Sequence, residues 1–368
     1  MFTVITFYRY VTQDNVPQIR QSLYDACVTH QIYGRILIGE EGVNGAVCGL
    51  TQEIKLFQDM LEQMYPGLTY RVQDSDHQVF HKRVVRVREE ICAFGEKVNM
   101  DNRGEYIEPK ELDQWYKDGK DFVIADVRND YEYELGHFKG AREIPTKTFR
   151  EFKDVIEDVL GDAKDKDVVL YCTGGIRCEK ASAYLKDHGW NSVRHVKGGV
   201  INYVNQFPEG RWEGDLFVFD DRKISSYGAI TQCAHCQTKT SQIQNCHNLD
   251  CDQFFIVCDD CRDTFDNSCS EACQQSEHRR KGYTAVKTEL AKVTNYYKNH
   301  NVASAKVTFG PIRKGMTVTV SGPTTGDIKT VITELRDDDG NSIEQAGKGE
   351  IITFTVPVRV RKSDVVCV

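Results

Sequence analysis

The sequence predicts a multidomain α/β protein in four parts: an α+β sandwich, a three-layer α/β/α domain, a cysteine-rich segment and a small C-terminal β-barrel. Three observations predict it. Strand and helix signals alternate through residues 1–95 and again through 105–220. Eight cysteines crowd into residues 233–273. From about residue 285, β-branched runs are separated by Gly, Asp and Pro, as in small barrels. At 368 residues the chain is too long for one ordinary core. The expected boundaries are 1–98, 105–220, 221–282 and 285–368.

In the first part, residues 3–11 are β-branched and aromatic, and 16–32 carry helical spacing. Residues 35–49 read as two strands turning at Gly42-Val43-Asn44-Gly45, since Asn-Gly is a hairpin signal. Residues 51–65 read as a helix with Thr51 as N-cap and Glu53 in its first turn. Residues 69–72 and 84–88 are strands, and the order β-α-β-β-α-β predicts a ferredoxin-like sandwich. Residues 99–105, polar and Gly-containing, read as a linker. Beyond it, the short apolar runs 122–127 and 168–171 read as buried parallel strands.

Hydrophobic content of 40% and charged content of 28% are those of a soluble globular protein. No run of about 18 apolar residues is present, so no membrane span is expected. Met1-Phe2-Thr3-Val4-Ile5 lacks a basic start and reads as a strand, which predicts a cytoplasmic protein. In a reducing compartment, paired cysteines favour metal ligation over disulfides. A net charge of −8 argues against a wholly basic nucleic-acid binder but leaves room for a local basic face.

The sharpest chemical signal is Cys172-Thr173-Gly174-Gly175-Ile176-Arg177, lying between the strand 168–171 and a helical stretch at 178–188. Two glycines let the backbone curl so that successive N–H groups point inward. The helix adds the positive end of its dipole, and Arg177 can offer a two-pronged fork to an anion. Cys172 there should be a reactive thiolate. A lone cysteine ending a strand would more often be a buried packing residue; the loop around this one reverses that reading. Cys178 either resolves an oxidised or persulfidated Cys172 through a disulfide or packs inward in the first helical turn.

Asp126-Val127-Arg128, Glu132, Gly136-His137-Phe138-Lys139-Gly140-Ala141 and Pro145, with the loop, resemble the rhodanese signature. That resemblance implies Cys172 as the sulfur-accepting nucleophile. The six-residue loop is similar to the sulfurtransferases rather than to the phosphatases with one residue more. Asp126 and Arg128 are expected to brace the loop rather than react.

The flanks resemble one group within that superfamily, the rhodanese-type tRNA uridine hydroxylases. The matching motifs are Phe7-Tyr8-Arg9-Tyr10, Gly34-Arg35, Glu40-Glu41-Gly42-Val43-Asn44-Gly45, Val85-Arg86-Val87-Arg88-Glu89-Glu90, the loop with Cys178-Glu179-Lys180, and Phe217-Val218-Phe219-Asp220. The resemblance implies dioxygen-dependent conversion of the wobble uridine of tRNA to 5-hydroxyuridine, with Cys172 essential. A sulfurtransferase passing persulfide sulfur from Cys172 is the alternative, and a non-catalytic tRNA-binding adaptor a third. No His/His/carboxylate facial triad and no flavin or nicotinamide fingerprint is present. Lys292-Val293-Thr294-Asn295-Tyr296-Tyr297, Ser321-Gly322-Pro323-Thr324-Thr325 and Lys362-Ser363-Asp364 resemble the terminal barrel of U32 peptidase-like proteins, which implies a tRNA-handling module.

A tRNA partner needs basic surface. His81-Lys82-Arg83 and Arg86 with Arg88 place cations along one strand, with Val85 and Val87 on its other face. Arg279, Arg280 and Lys281 form a second cluster beside His278. Each alone reads as a solvated edge; with the resemblance, RNA contact is expected.

Cys233-x2-Cys236, Cys246-x4-Cys251, Cys258-x2-Cys261 and Cys269-x3-Cys273 give eight sulfurs at metal-ligand spacing. Two structural zinc sites, interleaved or sequential, are expected, with His235 and His247 in reserve. An iron–sulfur cluster or a set of reduced or disulfide-bonded thiols are the alternatives.

Overall fold

In the computed structural model the first residues form a nine-residue strand, β1 (Phe2–Tyr10), at the heart of a five-stranded sheet. The structure describes residues 1–68, 70–218, 224–225 (backbone alone), 227–280, 288–298 and 300–368. The chain divides into two units, one of Met1–Glu89 with Tyr283–Val368 and one of Glu90–Gly282.

In the first unit, β1 is followed by α1 (Val16–Thr29), β2 (Tyr33–Gly39), β3 (Gly42–Leu50), α2 (Thr51–Met64), β4 (Tyr70–Ser75) and β5 (Arg83–Val87). The sheet order β4-β1-β3-β2-β5 is the ferredoxin-like arrangement with one added parallel edge strand. Alternation dictates the packing. Ile5, Phe7, Ile36, Ile38, Val43, Val47 and Val85 meet Leu23, Cys27, Ile54, Phe57 and Leu61 of the helices in one core.

The hairpin between β2 and β3 turns at Glu40-Glu41, not at Asn44-Gly45, which lies inside β3 opposite Phe7 and Tyr8. A Cβ on Gly45 would sit 2.4 Å from the Phe7 ring, so this glycine serves close packing and not a turn. Thr51 is the first residue of α2 rather than its cap, and its hydroxyl donates to the Met1 carbonyl at 3.0 Å. Val87 is 46% exposed, since β5 is an edge strand and its end lies beyond helical cover; Val85 alone is buried.

The C-terminal part is a seven-stranded antiparallel sheet. It curls into a half-barrel: among the described residues its outer strands, Gly326–Val331 and Leu335–Arg336, do not pair with each other to close a barrel. Its inner residues Leu290, Val293, Ala303, Val307, Val320 and Phe354 share a core with Phe2, Val4, Cys48 and Leu50 of the N-terminal sheet. Apolar surface that closure would have hidden is covered by a neighbour instead.

The second unit is built on a parallel sheet. Its principal elements are β6 (Glu105–Ile107), α3 (Pro109–Asp118), β7 (Val123–Asp126), α4 (Asp130–Leu135), β8 (Gly136–Phe138), β9 (Arg142–Glu143), α5 (Phe152–Leu160), β10 (Asp167–Tyr171), α6 (Ile176–Asp187), β11 (Ser192–Val196) and α7 (Gly199–Gln206). The order β6-β11-β10-β7-β9 puts β10 in the middle, buried on both faces as its run Val168-Val169-Leu170 requires. One core lies on each side of it. Phe94, ahead of the linker-like stretch 99–105, belongs to this unit and packs on Phe149 and Phe152. The cysteine-rich segment has little regular structure: the hairpin Ile243–Asn245 with Phe254–Ile256, and the short helices Asp259–Thr264 and Glu271–Gln274. No helix of the described residues is long and apolar enough to cross a membrane.

Candidate active site

Cys172 follows the last residue of the central strand β10, the carboxyl end at which open α/β sheets place ligands. It is 1% exposed. Gly175, with φ 99°, caps α6, and its N–H donates to the Cys172 Sγ at 3.0 Å. Only a residue tolerant of the left-handed region can turn the backbone back on the sulfur in so short a loop. The helix then starts at Ile176 with its positive end toward the thiol.

Burial alone would push the Cys172 pKa up. A hydrogen bond from the Cys178 thiol, the charge of Arg177 and the N–H groups of Arg177 and Gly175 overcome that and bring it down to about 6. The thiolate is therefore the ordinary form at neutral pH. Cys178 moves the other way: burial, then the neighbouring sulfur, hold it well above the usual thiol range. In this state Cys178 is a thiol donating to Cys172.

Arg177 is placed differently from the open fork expected of it. Its Nη1 and Nη2 donate to the two oxygens of Glu132, at 2.7 and 2.9 Å, and Glu132 is 0% exposed. Thr173 Oγ1 donates to the same carboxylate at 3.1 Å. Glu132 thus pins the first and last parts of the loop to α4, whose capping box with Asn129 it also completes. Burial would raise the Glu132 pKa, but the two arginines and these hydrogen bonds hold it low. The Arg177 side chain acts on Cys172 through charge while its hydrogen-bonding fork is occupied.

Asp126 and Arg128 form a second buried pair at the end of β7, with Arg128 Nε 2.9 Å from Asp126 Oδ1 and Nη2 2.6 Å from the Gly136 carbonyl. The Arg128 guanidinium lies over the rings of Trp212 and Tyr171, with its carbon 5.0 and 5.6 Å from their centroids. Val127 N–H donates to the Tyr171 carbonyl just before Cys172, tying this pair to the strand that carries the loop.

Two glycines of the site went unread in the sequence. Gly198 and Gly199 have φ 75° and 69°, and a Cβ on Gly199 would meet the Cys172 carbonyl at 2.5 Å. Val200 N–H donates to that carbonyl at 2.9 Å. The start of α7 therefore lies against the loop backbone. The signal was present as a Gly-Gly pair between a strand and a helix. Glu132 was visible as part of a signature, but its partner could only be found in three dimensions.

The eight cysteines fall into two groups, Cys233, Cys236, Cys258 and Cys261, and Cys246, Cys251, Cys269 and Cys273, with the sulfurs of each within 4.8 Å of one another. The pairs alternate along the chain, so the groups are interleaved. Cys236 and Cys258 lie 3.5 Å apart, Cys251 and Cys269 3.7 Å, and Cys269 and Cys273 3.7 Å. A tetrahedron with metal–sulfur bonds of about 2.3 Å has edges of about 3.8 Å, so each group fits a metal ion. His235 bonds the Ser268 carbonyl at 3.0 Å and stacks on Phe265, and His247 contacts Gln244; neither joins a group.

Of the basic residues, Lys82, Arg86 and Arg88 are exposed, and Arg83 donates to the Ile32 carbonyl at 2.9 Å while lying over Tyr33. Arg279 makes hydrogen bonds to Ser268, Cys273, Gln274 and Asp266, which brace the second cysteine group from within. Arg280 pairs with Asp252. Lys281, and Phe219 and Asp220 of the motif noted above, lie outside the described residues.

This geometry defines a rhodanese-containing multidomain protein. Three family models match in order: the UPF0176 acylphosphatase like domain over residues 2–91, the rhodanese-like domain over 108–206 and the rhodanese C-terminal domain over 213–274. The chain is 36% identical over 311 residues to a tRNA uridine(34) hydroxylase of Photorhabdus laumondii, covering 80% of this chain and 88% of that one. To its namesake in Pectobacterium atrosepticum it is 37% identical over 286 residues, covering 74% and 80%. The chain belongs to the tRNA uridine(34) hydroxylase family. Its end is similar to the C-terminal domain of a Geobacillus thermoleovorans protein described as a U32 peptidase, at 22% identity, covering 22% of this chain and 99% of that one, with a TM-score of 0.21.

Proposed function

We propose that this chain hydroxylates the uridine at position 34 of tRNA, the wobble position, to 5-hydroxyuridine with dioxygen as co-substrate, and that Cys172 is the residue that reacts. One observation carries the reading: a buried thiolate, lowered to about 6, at the loop of a rhodanese domain in a chain that aligns with most of the length of relatives named for this reaction. The residues support the chemistry in distinct ways. Gly175 and Arg177 hold negative charge on sulfur, Glu132 fixes the loop, and Asp126 with Arg128 fixes the strand beneath it. Thr173, Gly174 and Ile176 complete the backbone that surrounds an anionic group on the sulfur.

The two cysteine groups hold structural zinc in this reading. When bound, zinc supplies a cross-link between distant parts of a segment with few buried apolar side chains. Four thiolates fill each coordination sphere, which suits structure and not catalysis. The cytoplasm, where tRNA and reduced thiols coexist, is the proposed location.

The test is nucleoside mass spectrometry of tRNA from cells lacking this protein and any U32-type hydroxylase, rescued with wild type or Cys172→Ala. Restoration of 5-hydroxyuridine derivatives by wild type alone is expected. Unchanged hydroxyuridine with altered thiolated nucleosides would instead establish the sulfurtransferase.

A further inference from the structure

The ferredoxin-like sheet has two faces, and the helices cover only one. On the other, the strand register sets residues in rows. Arg71, Thr6, Ala46, Arg35 and Val84 form one row across the five strands. Tyr8, Asn44, Leu37 and Arg86 form the next, with Tyr10 beyond Tyr8 on β1. Further along the same face, Phe2, Val4, Cys48 and Leu50 enter the half-barrel core, but these two rows belong to no hydrophobic core.

Three features of the rows point to one kind of ligand. Arginines are interleaved with tyrosines: Arg71 lies 5.7 Å over the Tyr8 ring, and the Tyr8 and Tyr10 rings are 6.2 Å apart. Arg35 and Arg86 are exposed, and among the described residues neither has an acidic partner. No Asp or Glu stands on this face among the described residues of the five strands, although acidic residues outnumber basic ones in the whole chain, 55 to 47. Concentrating cations on one face of an acidic protein creates a local field that attracts a polyanion. Aromatic rings beside them suit a polyanion with flat, unpaired bases, which stack on tyrosine while phosphates meet arginine. A duplex would offer the phosphates but hide the base faces.

We infer that the open face of this sheet, centred on Tyr8, Tyr10, Arg35, Arg71 and Arg86, binds single-stranded RNA of the kind a tRNA loop presents. The inference rests on tRNA being the substrate and adds where and how the RNA is held. It differs from the expectation of a basic edge strand, since the face spans all five strands and includes the two tyrosines.

The experiment measures binding of a fluorescently labelled anticodon stem-loop RNA to the full chain by anisotropy, at several salt concentrations. Arg35→Ala/Arg86→Ala should weaken binding more than tenfold and reduce the slope of log affinity against log salt by roughly one to one and a half. Tyr8→Ala should weaken it about tenfold, while Tyr8→Phe, which keeps the ring, binds as wild type. Alkylation of Cys172 should proceed at wild-type rate in each variant, which reports an intact catalytic unit, and melting curves check the fold of the sheet. Wild-type affinity in both the arginine and the Tyr8→Ala variants overturns the inference and leaves the tRNA reading standing. Failure of the wild type to bind the stem-loop overturns both. Equal affinity for a blunt RNA duplex of the same length overturns the stacking half.

Discussion

Two regions of this chain depend on cysteine, and their surroundings separate the two uses. Around Cys172 the nearest polar groups are donors and a cation: the Gly175 N–H at 3.0 Å, the Cys178 thiol and the charge of Arg177. The eight cysteines of the C-terminal segment are instead gathered in fours, with sulfurs as close as 3.5 to 3.7 Å to one another. A thiolate stabilised by fixed dipoles can stand alone and stays available to react. Thiolates that share a dication in a closed four-sulfur site have the lone pairs that would react taken up by the metal. In the proposed reading the same element is reactive in one region and inert in the other because of what neutralises it.

The sharpest way to break that contrast is to remove one sulfur from each region. Cys172→Ala should lower the rate of 5-hydroxyuridine formation by about a thousandfold or more, as loss of a nucleophile does. It should leave the zinc content and the melting temperature of the segment unchanged. Cys258→Ser should do the reverse, with zinc per chain falling from two to about one by elemental analysis. A Cys258→Ser protein that keeps both metals would sink the assignment of Cys258 to a closed four-thiolate site. Chelation of the wild type should release both ions and abolish protection of the Ile243–Asn245 hairpin from hydrogen exchange, because metal binding in such segments is folding free energy.

The contrast was partly legible before any coordinates. The loop Cys172 to Arg177 and the four cysteine pairs are local patterns, so they could be picked out as candidate sites from spacing. Which pair joins which could not, since the interleaving of Cys233 and Cys236 with Cys258 and Cys261 is set by the chain path. Nor could the partner of Arg177, which lies 45 residues earlier. Asn44-Gly45 shows the opposite failure. A strong turn signal was overridden because the Phe7 ring occupies the space where a Cβ would stand. A position that needs glycine for packing looks, in sequence, like one that needs it for a turn.

That hidden partner gives the next test. Arg177 and Glu132 are both buried, so Glu132→Ala strands a guanidinium without its carboxylate. Breaking one side of a buried pair costs about 3–5 kcal/mol, far more than loss of the exposed pair Lys197–Glu108. Thermal melting of the two variants should separate them clearly; equal melting temperatures would mean that Glu132 does not clamp the loop.

The smallest effect concerns Cys178, and it sharpens the contrast from inside the reactive region. The Cys172 pKa is lowered from the ordinary thiol value of 9.0 to about 6, and after burial the first cause is the thiol of Cys178. Because the folded value lies below the unfolded one, ionisation of Cys172 stabilises the native state fully above pH 9. That contribution declines as pH falls and is lost through pH 6. The rate of Cys172 alkylation by iodoacetamide should follow the same ionisation, rising with pH to a plateau with its midpoint near 6. Cys178→Ala removes one donor but leaves Gly175 and Arg177 in place, so the midpoint should move upward and the rate at pH 6 fall severalfold. A resolving role makes a different prediction, since it requires Cys178 to form a disulfide with Cys172. In that case mild peroxide would link the two in the wild type, and mass spectrometry of unreduced peptides would find the bond. A shifted midpoint without that disulfide identifies Cys178 as the thiolate's hydrogen-bond donor; an unmoved midpoint removes it from the site's electrostatics altogether.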